Sequence, residues 1–132
     1  MNRESTGTTL AGYPFATWIN QMGYRTGYVG VPKDHPAHGL DYYPEGDGEV
    51  EAAVRKIDVH GGLTYADGKN NYPLEQNPED LWWFGFDCAH LGDAPIPGYT
   101  PYPEYMDGIT RSLQYVQQEC ENLAQQLKDM EA

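Results

Sequence analysis

The feature that most constrains this chain is a run of apolar residues near its C-terminus. Leu113, Val116, Cys120, Leu123, Leu127 and Met130 recur at intervals of 3, 4, 3, 4 and 3. That spacing draws a single apolar stripe along a helix of roughly five turns. Gln, Glu and Asn fill the other face, so one face must be covered and the other must meet water. The stripe predicts a long helix laid on a sheet. The same spacing also suits a coiled-coil seam, which would make a homodimer through this helix. With fewer than three heptads, packing on the sheet is the preferred expectation.

The sheet itself is written in two further stretches. In 24-YRTGYVGVP-32, Tyr24, Thr26 and Tyr28 share one face while Val29 and Val31 share the other. Pro32 ends that strand or places it at an edge. The second stretch, 81-LWWFGFDCAHLGD-93, begins apolar on both faces over Leu81–Cys88, as a strand covered from two sides does. Trp82, Phe84 and Phe86 fall on one side, and Leu81, Trp83, Gly85 and Asp87 on the other. The side ending in Asp87 is the expected approach to a site, with Gly85 leaving room beside it.

Other segments are less regular. In 49-EVEAAVRKIDVHGGLTYA-66, Val50, Ala53, Val54 and Ile57 suit a helical turn. Ile57, Val59, Leu63 and Tyr65 instead alternate, predicting a strand over Lys56–Tyr65 that bends at Gly61 and Gly62. Residues 94-APIPGYTPYPEY-105 carry four prolines and three tyrosines, and predict an extended polyproline-like wrap. Residues 1–16 are Gly/Thr-rich without a period and predict a poorly ordered lead-in. Residues 17–132 then form one domain, as a chain of 132 residues would. The expected class is α+β: a small, mainly antiparallel sheet with one long C-terminal helix packed on it.

Charge narrows the partners. The formal net charge is −12. Residues 1–33 hold Arg3, Arg25 and Lys33 against Glu4, so the whole acidic excess, −14, falls on residues 34–132. Such a body repels nucleic acid and anionic membrane, both of which demand Lys and Arg. It attracts a basic protein surface. No apolar window is long enough for a membrane span, and MNRESTGTTLAGYPF lacks the pattern of a secretory leader. Cys88 and Cys120 suggest no disulfide framework, so a reducing cytoplasm is expected.

The candidate chemistry lies in three segments: HPAHG, DVHGG and FDCAHLGD. His60, Asp87, His90 and Asp93 form a two-imidazole, two-carboxylate set if the sheet brings their ends together. Such a set would suit a divalent transition metal that activates water. The spacing Asp-x-x-His-x-x-Asp is no metal signature in itself, and histidines and aspartates at strand ends more often bond loop backbone. No resident metal or cofactor is therefore expected. Cys88, inside an apolar run, is expected to be inert. Binding requires less than catalysis. His60, Gly61, Asp87, His90 and Asp93, with Trp83 and His35, are the expected lining of a ligand pocket; His60-Gly61-Gly62 would offer backbone N–H groups.

The motifs GYVGVPKDHPAHGLDY, VHGGLTY, WWFGFDCAHLGD and RSLQYVQQECENLAQQL together resemble a widespread family of small, uncharacterised phage and prophage proteins. The resemblance covers about residues 27–127, with Leu91 replacing a small residue in the third motif. It implies an accessory protein of the bacterial cytoplasm, one that acts by binding. Three functions follow as expectations: a counter-defence inhibitor that docks its acidic surface on a basic host or defence protein; a protein that sequesters a small nucleotide-like ligand; and a metal-dependent hydrolase.

Overall fold

A computed structural model describes residues 2–131. The C-terminal stripe is buried as its period demands: helix α2 (Leu113–Asp129) turns Val116, Cys120, Leu123, Ala124 and Leu127 inward. Ser112 caps it by accepting a hydrogen bond from the Tyr115 backbone N–H (3.1 Å). The helix lies against a five-stranded antiparallel sheet, so the stripe is the inner face of the domain.

The strands are β1 (Asn2–Thr8), β2 (Pro14–Ile19), β3 (Arg25–Val31), β4 (Tyr65–Asp67) and β5 (Trp82–Asp87), in the order β1-β2-β3-β5-β4. A short helix α1 (Glu49–Arg55) precedes β4, and a 3-10 turn spans Pro103–Met106. The α+β architecture with a long C-terminal helix on the sheet is thus the one the residue pattern predicts.

Register assigns the faces. Val29 pairs with Phe84 and Val31 with Trp82, so these side chains meet α2 together with Phe86. Thr26 pairs with Asp87, Tyr28 with Gly85, and Tyr65 also with Gly85. These residues share the opposite face with Trp83 and Trp18, where the loop bearing Tyr72 and Leu74 covers them. Burying the two faces of β5 removes Trp83, Phe84 and Phe86 almost wholly from water. A large aromatic or aliphatic side chain contributes about 1.5–3 kcal/mol on such burial.

Three expectations are corrected. Residues 2–8 are not a loose lead-in; they pair with β2 through a turn in which the Thr9 N–H donates to Tyr13 O (2.8 Å). The strand expected over Lys56–Tyr65 is absent. Glu49–Arg55 is helical, residues 57–64 are a loop, and only Tyr65–Asp67 pairs. Gly61 and Gly62 sit at φ +70° and +80°, outside the extended region, and end the alternation there. The space beside Gly85 is not open either, because the Tyr28 ring fills it and any Cβ would collide with that ring.

Candidate functional site

The loop that follows β5 turns sharply after Cys88 and carries His90 and Asp93 back toward the start of α2. Two short-range pairings hold it: Ala94 N–H donates to Ile109 O (2.9 Å), and Ile109 N–H donates to Gly92 O (2.9 Å). These bring Arg111, just before α2, against Asp93. The loop after α1 is tied to the same helix. Asn122 and Gln126 donate to Asp58 O, and Glu119 accepts from the His60 N–H (2.8 Å).

A closed hydrogen-bond chain results. Asp93 Oδ2 accepts from His60 Nε2 (2.8 Å) and from the His90 backbone N–H (3.0 Å), while Oδ1 accepts from Arg111 Nε (2.9 Å). Because Nε2 faces a carboxylate it carries the proton, so Nδ1 accepts from the Tyr115 hydroxyl (2.7 Å). Arg111 also lies over the Tyr115 ring at 5.2 Å. The Asp93 side chain is 0% exposed. Burial alone would raise its carboxyl, but the bonds from His60, Arg111 and the His90 N–H outweigh that and hold it below the ordinary value. No buried side-chain polar atom of Asp93, His60, Arg111 or Tyr115 lacks a partner, and the clamp joins two loops to α2.

The other half of the motif behaves differently. Asp87 Oδ2 accepts from Thr64 Oγ1 (2.9 Å) and Oδ1 from the Ala89 N–H (3.1 Å). His90 Nε2 lies 3.0 Å from Asp87 Oδ1, yet the alignment completes no hydrogen bond and the atom is sealed from water. Above this pair opens a cavity of about 460 Å³, lined by Asn20, Thr26, Tyr28, Thr64, Tyr65, Tyr72, Phe86, Asp87, Ala89 and His90. That volume falls in the usual range for small-molecule sites, about 300–1,000 Å³. Tyr28, Tyr65 and Tyr72 stand edge to face, with centroids 5.1–5.8 Å apart. The Tyr72 hydroxyl donates to that of Tyr28 (2.6 Å). Burial raises all three phenols, that of Tyr65 to about 12.

Four buried side-chain polar atoms complete no hydrogen bond of normal geometry among the described residues: Thr26 Oγ1, Tyr65 OH, Trp83 Nε1 and His90 Nε2, of which Thr26 still has the Tyr28 and Tyr72 phenols as hydrogen-bonding neighbours. Three of the four belong to residues around this one cleft. An unpaired buried group costs about 1–3 kcal/mol, so the coincidence is a local concentration of unfavourable energy. A slightly larger groove, about 490 Å³ between α1 and α2, is lined by Val50, Ala53, Lys56 and Met130 among others and contains no such atom. Volume does not separate the two; hydrogen-bond satisfaction does.

The expected pocket residues are therefore divided. Asp87 and His90 line the cleft. His60 and Asp93 belong to the clamp, with Gly61 between them and the cleft: a side chain at Gly61 would strike the His90 ring. Trp83 is buried in the cluster beneath the tyrosines and does not line the cavity. His35 is elsewhere. Its Nδ1 accepts from the Ala37 N–H (2.9 Å) and its Nε2 donates to Leu127 O (2.7 Å). Leu127 lies twelve residues beyond Tyr115, about 18 Å along the helix. Thr26, Tyr28, Tyr65 and Tyr72 were not expected in the site, nor were Arg111 and Tyr115. The only signal for the first two was their place opposite Asp87 and Gly85, which appears once the strands are in register.

Burial pushes the Cys88 thiol up to about 12, and Cys120 likewise. Among the described residues no three His, Cys, Asp or Glu side chains converge as metal ligands would. No described helix is long and apolar enough to cross a membrane. Comparison with protein families, with curated proteins and with solved structures gives no match.

Proposed function

We propose that this protein is a non-catalytic binder that captures a small polar ligand in the cleft between β3, β4 and the Asp87–His90 turn. The observation that carries this is the gathering of three unpartnered buried polar atoms around one cavity. A ligand bonding to them recovers free energy that the empty protein forgoes. The atoms lie beneath the cleft floor, so binding entails a small turn of the Tyr65 or His90 side chain.

The nucleotide-like ligand expected from the sequence is narrowed by charge. Among the described residues no Lys or Arg lines the cleft. Arg25 is held by Glu4 (2.7 Å) and by Arg111 O, Arg111 by Asp93, and Arg55 by Pro44 O. A phosphate would find no counter-charge there. Thermal-shift screening with nucleosides, their phosphates, sugars and amines tests the proposal. It predicts stabilisation by at least one uncharged or cationic class, weakened in a T26V/Y65F variant. No stabilisation by any class at saturating concentration would remove it.

Inhibition of a host or defence protein through the acidic surface is a second proposal, supported by the −12 net charge and by the exposed stretch Asp41, Tyr42, Tyr43, Glu45, Asp47 and Glu49. Its setting, the bacterial cytoplasm during phage infection, rests on the motif resemblance alone. Binding of a captured partner should weaken steeply between low and high salt; an unchanged affinity would count against it.

A further inference from the structure

We propose that the ligand of this cleft is an alkylammonium, a protonated amine on a short apolar stem. This rests on the cleft being a binding site and adds the class of ligand.

Charge is the first ground. Among the described residues Asp87 is the only lining side chain with a permanent charge, and it is negative. The whole molecule, at −12, adds a field that concentrates cations and repels anions. Hydrogen-bond stoichiometry is the second. An ammonium offers three donors and no acceptor. The cleft offers the complementary set: a carboxylate oxygen on Asp87 and the unpartnered oxygens of Thr26 and Tyr65. His90 Nε2 lies 3.0 Å from Asp87 Oδ1 without completing a hydrogen bond, so a small turn of the ring leaves that carboxylate oxygen to a ligand. An ammonium placed there donates to Asp87. Thr26 is itself only 6% exposed, so its hydroxyl is a fixed part of the site and not a surface group. The walls are the third ground. Tyr65 and Tyr72, with the edge of Tyr28, present aromatic surface on which an alkyl stem packs and toward which a cation is drawn.

Two sources supply this chemistry: a free diamine or polyamine, or a lysine side chain of a protein docked on the acidic surface. The test is isothermal titration of the intact protein with 1-aminobutane, 1,5-diaminopentane, N-acetyl-lysine methylamide, 1-butanol, adenosine and adenosine monophosphate. The amines are expected to bind and 1-butanol is not, and D87N should weaken amine binding by about tenfold or more. Preference for the diamine points to a free amine as the source, and equal binding of the blocked lysine points to a protein side chain; either supports the proposal. If D87N does not fold, amide NMR of the wild type replaces it: the Ala89 N–H, which bonds Asp87, should shift with the amines and not with 1-butanol. Binding of adenosine or the monophosphate in preference to every amine would overturn the ammonium assignment while leaving the cleft a ligand site. Failure of all six compounds and of a wider uncharged panel would remove the cleft as a site as well.

Discussion

Asp87 ends strand β5 and Asp93 stands six residues on in the loop that follows, each beside a histidine, yet their surroundings are opposite. Asp93 is wholly buried and every one of its contacts is answered: His60, Arg111 and the His90 backbone converge on it, and Tyr115 completes the chain. Asp87 sits at the edge of a cavity whose neighbouring atoms, on Thr26, Tyr65 and His90, have no partner. A His–Asp contact taken alone does not distinguish the two. Saturation does: the satisfied set fixes the fold, and the unsatisfied set is where another molecule can add.

The largest effect should come from breaking the clamp. Replacing Asp93 by Asn leaves Arg111 and His60 facing a neutral amide, and loss of one partner of a buried pair typically costs about 3–5 kcal/mol. Urea denaturation should show that loss, whereas D87N should cost far less. A similar midpoint for both variants would abolish the contrast.

Acid should act through the same residue. The Asp93 carboxyl is held below its ordinary 3.8 in the folded state, so the unfolded chain binds its proton more readily. Its stabilising contribution is present in full above that ordinary value and is lost as pH falls through the lower folded value. Denaturation midpoints measured from about pH 5 downward should therefore fall more steeply for the wild type than for D93N. Parallel profiles would show that the clamp carries no acid-linked stability.

Gly61 sits where the two regions meet. An alanine there adopts φ +70° and directs its Cβ into the His90 ring. The cost expected of such a position is about 1–3 kcal/mol, with weakened ligand binding because His90 is displaced. G62A, at φ +80° but with nothing within 4 Å of its Cβ, carries only the backbone part of that cost. Equal losses in the two variants would show that the His90 contact is unimportant.

How much of this was legible in the residues follows from the length and type of each signal. The stripe of α2 repeats over the whole helix, and β5 is apolar on both faces, so both were readable. Strand β1 was not. It lies at the sheet edge with most of its side chains exposed, so Asn2–Thr8 needs no apolar alternation to pair. Residues 57–64 misled for the converse reason. Ile57, Val59 and Leu63 alternate, but they pack as a loop on α2, and two positive-φ glycines interrupt the extended backbone. The motif residues of the site were visible as polar residues ending apolar runs. Their partners were not, because Arg111, Tyr115 and Glu119 look like ordinary polar-face residues of the helix start. Thr26 and Tyr65 acquire meaning only through pairing register, which a single chain does not display.

The smallest effect has the opposite sign from the others and bears most directly on the central claim. Removing the unpartnered Tyr65 hydroxyl in a Y65F variant deletes a buried polar atom that bonds to nothing, so urea denaturation without ligand should show a gain of about 1 kcal/mol or more. The same variant should lose ligand affinity. A destabilisation of similar size would mean that this hydroxyl is already satisfied in the folded protein, and would contradict the distinction between clamp and cleft.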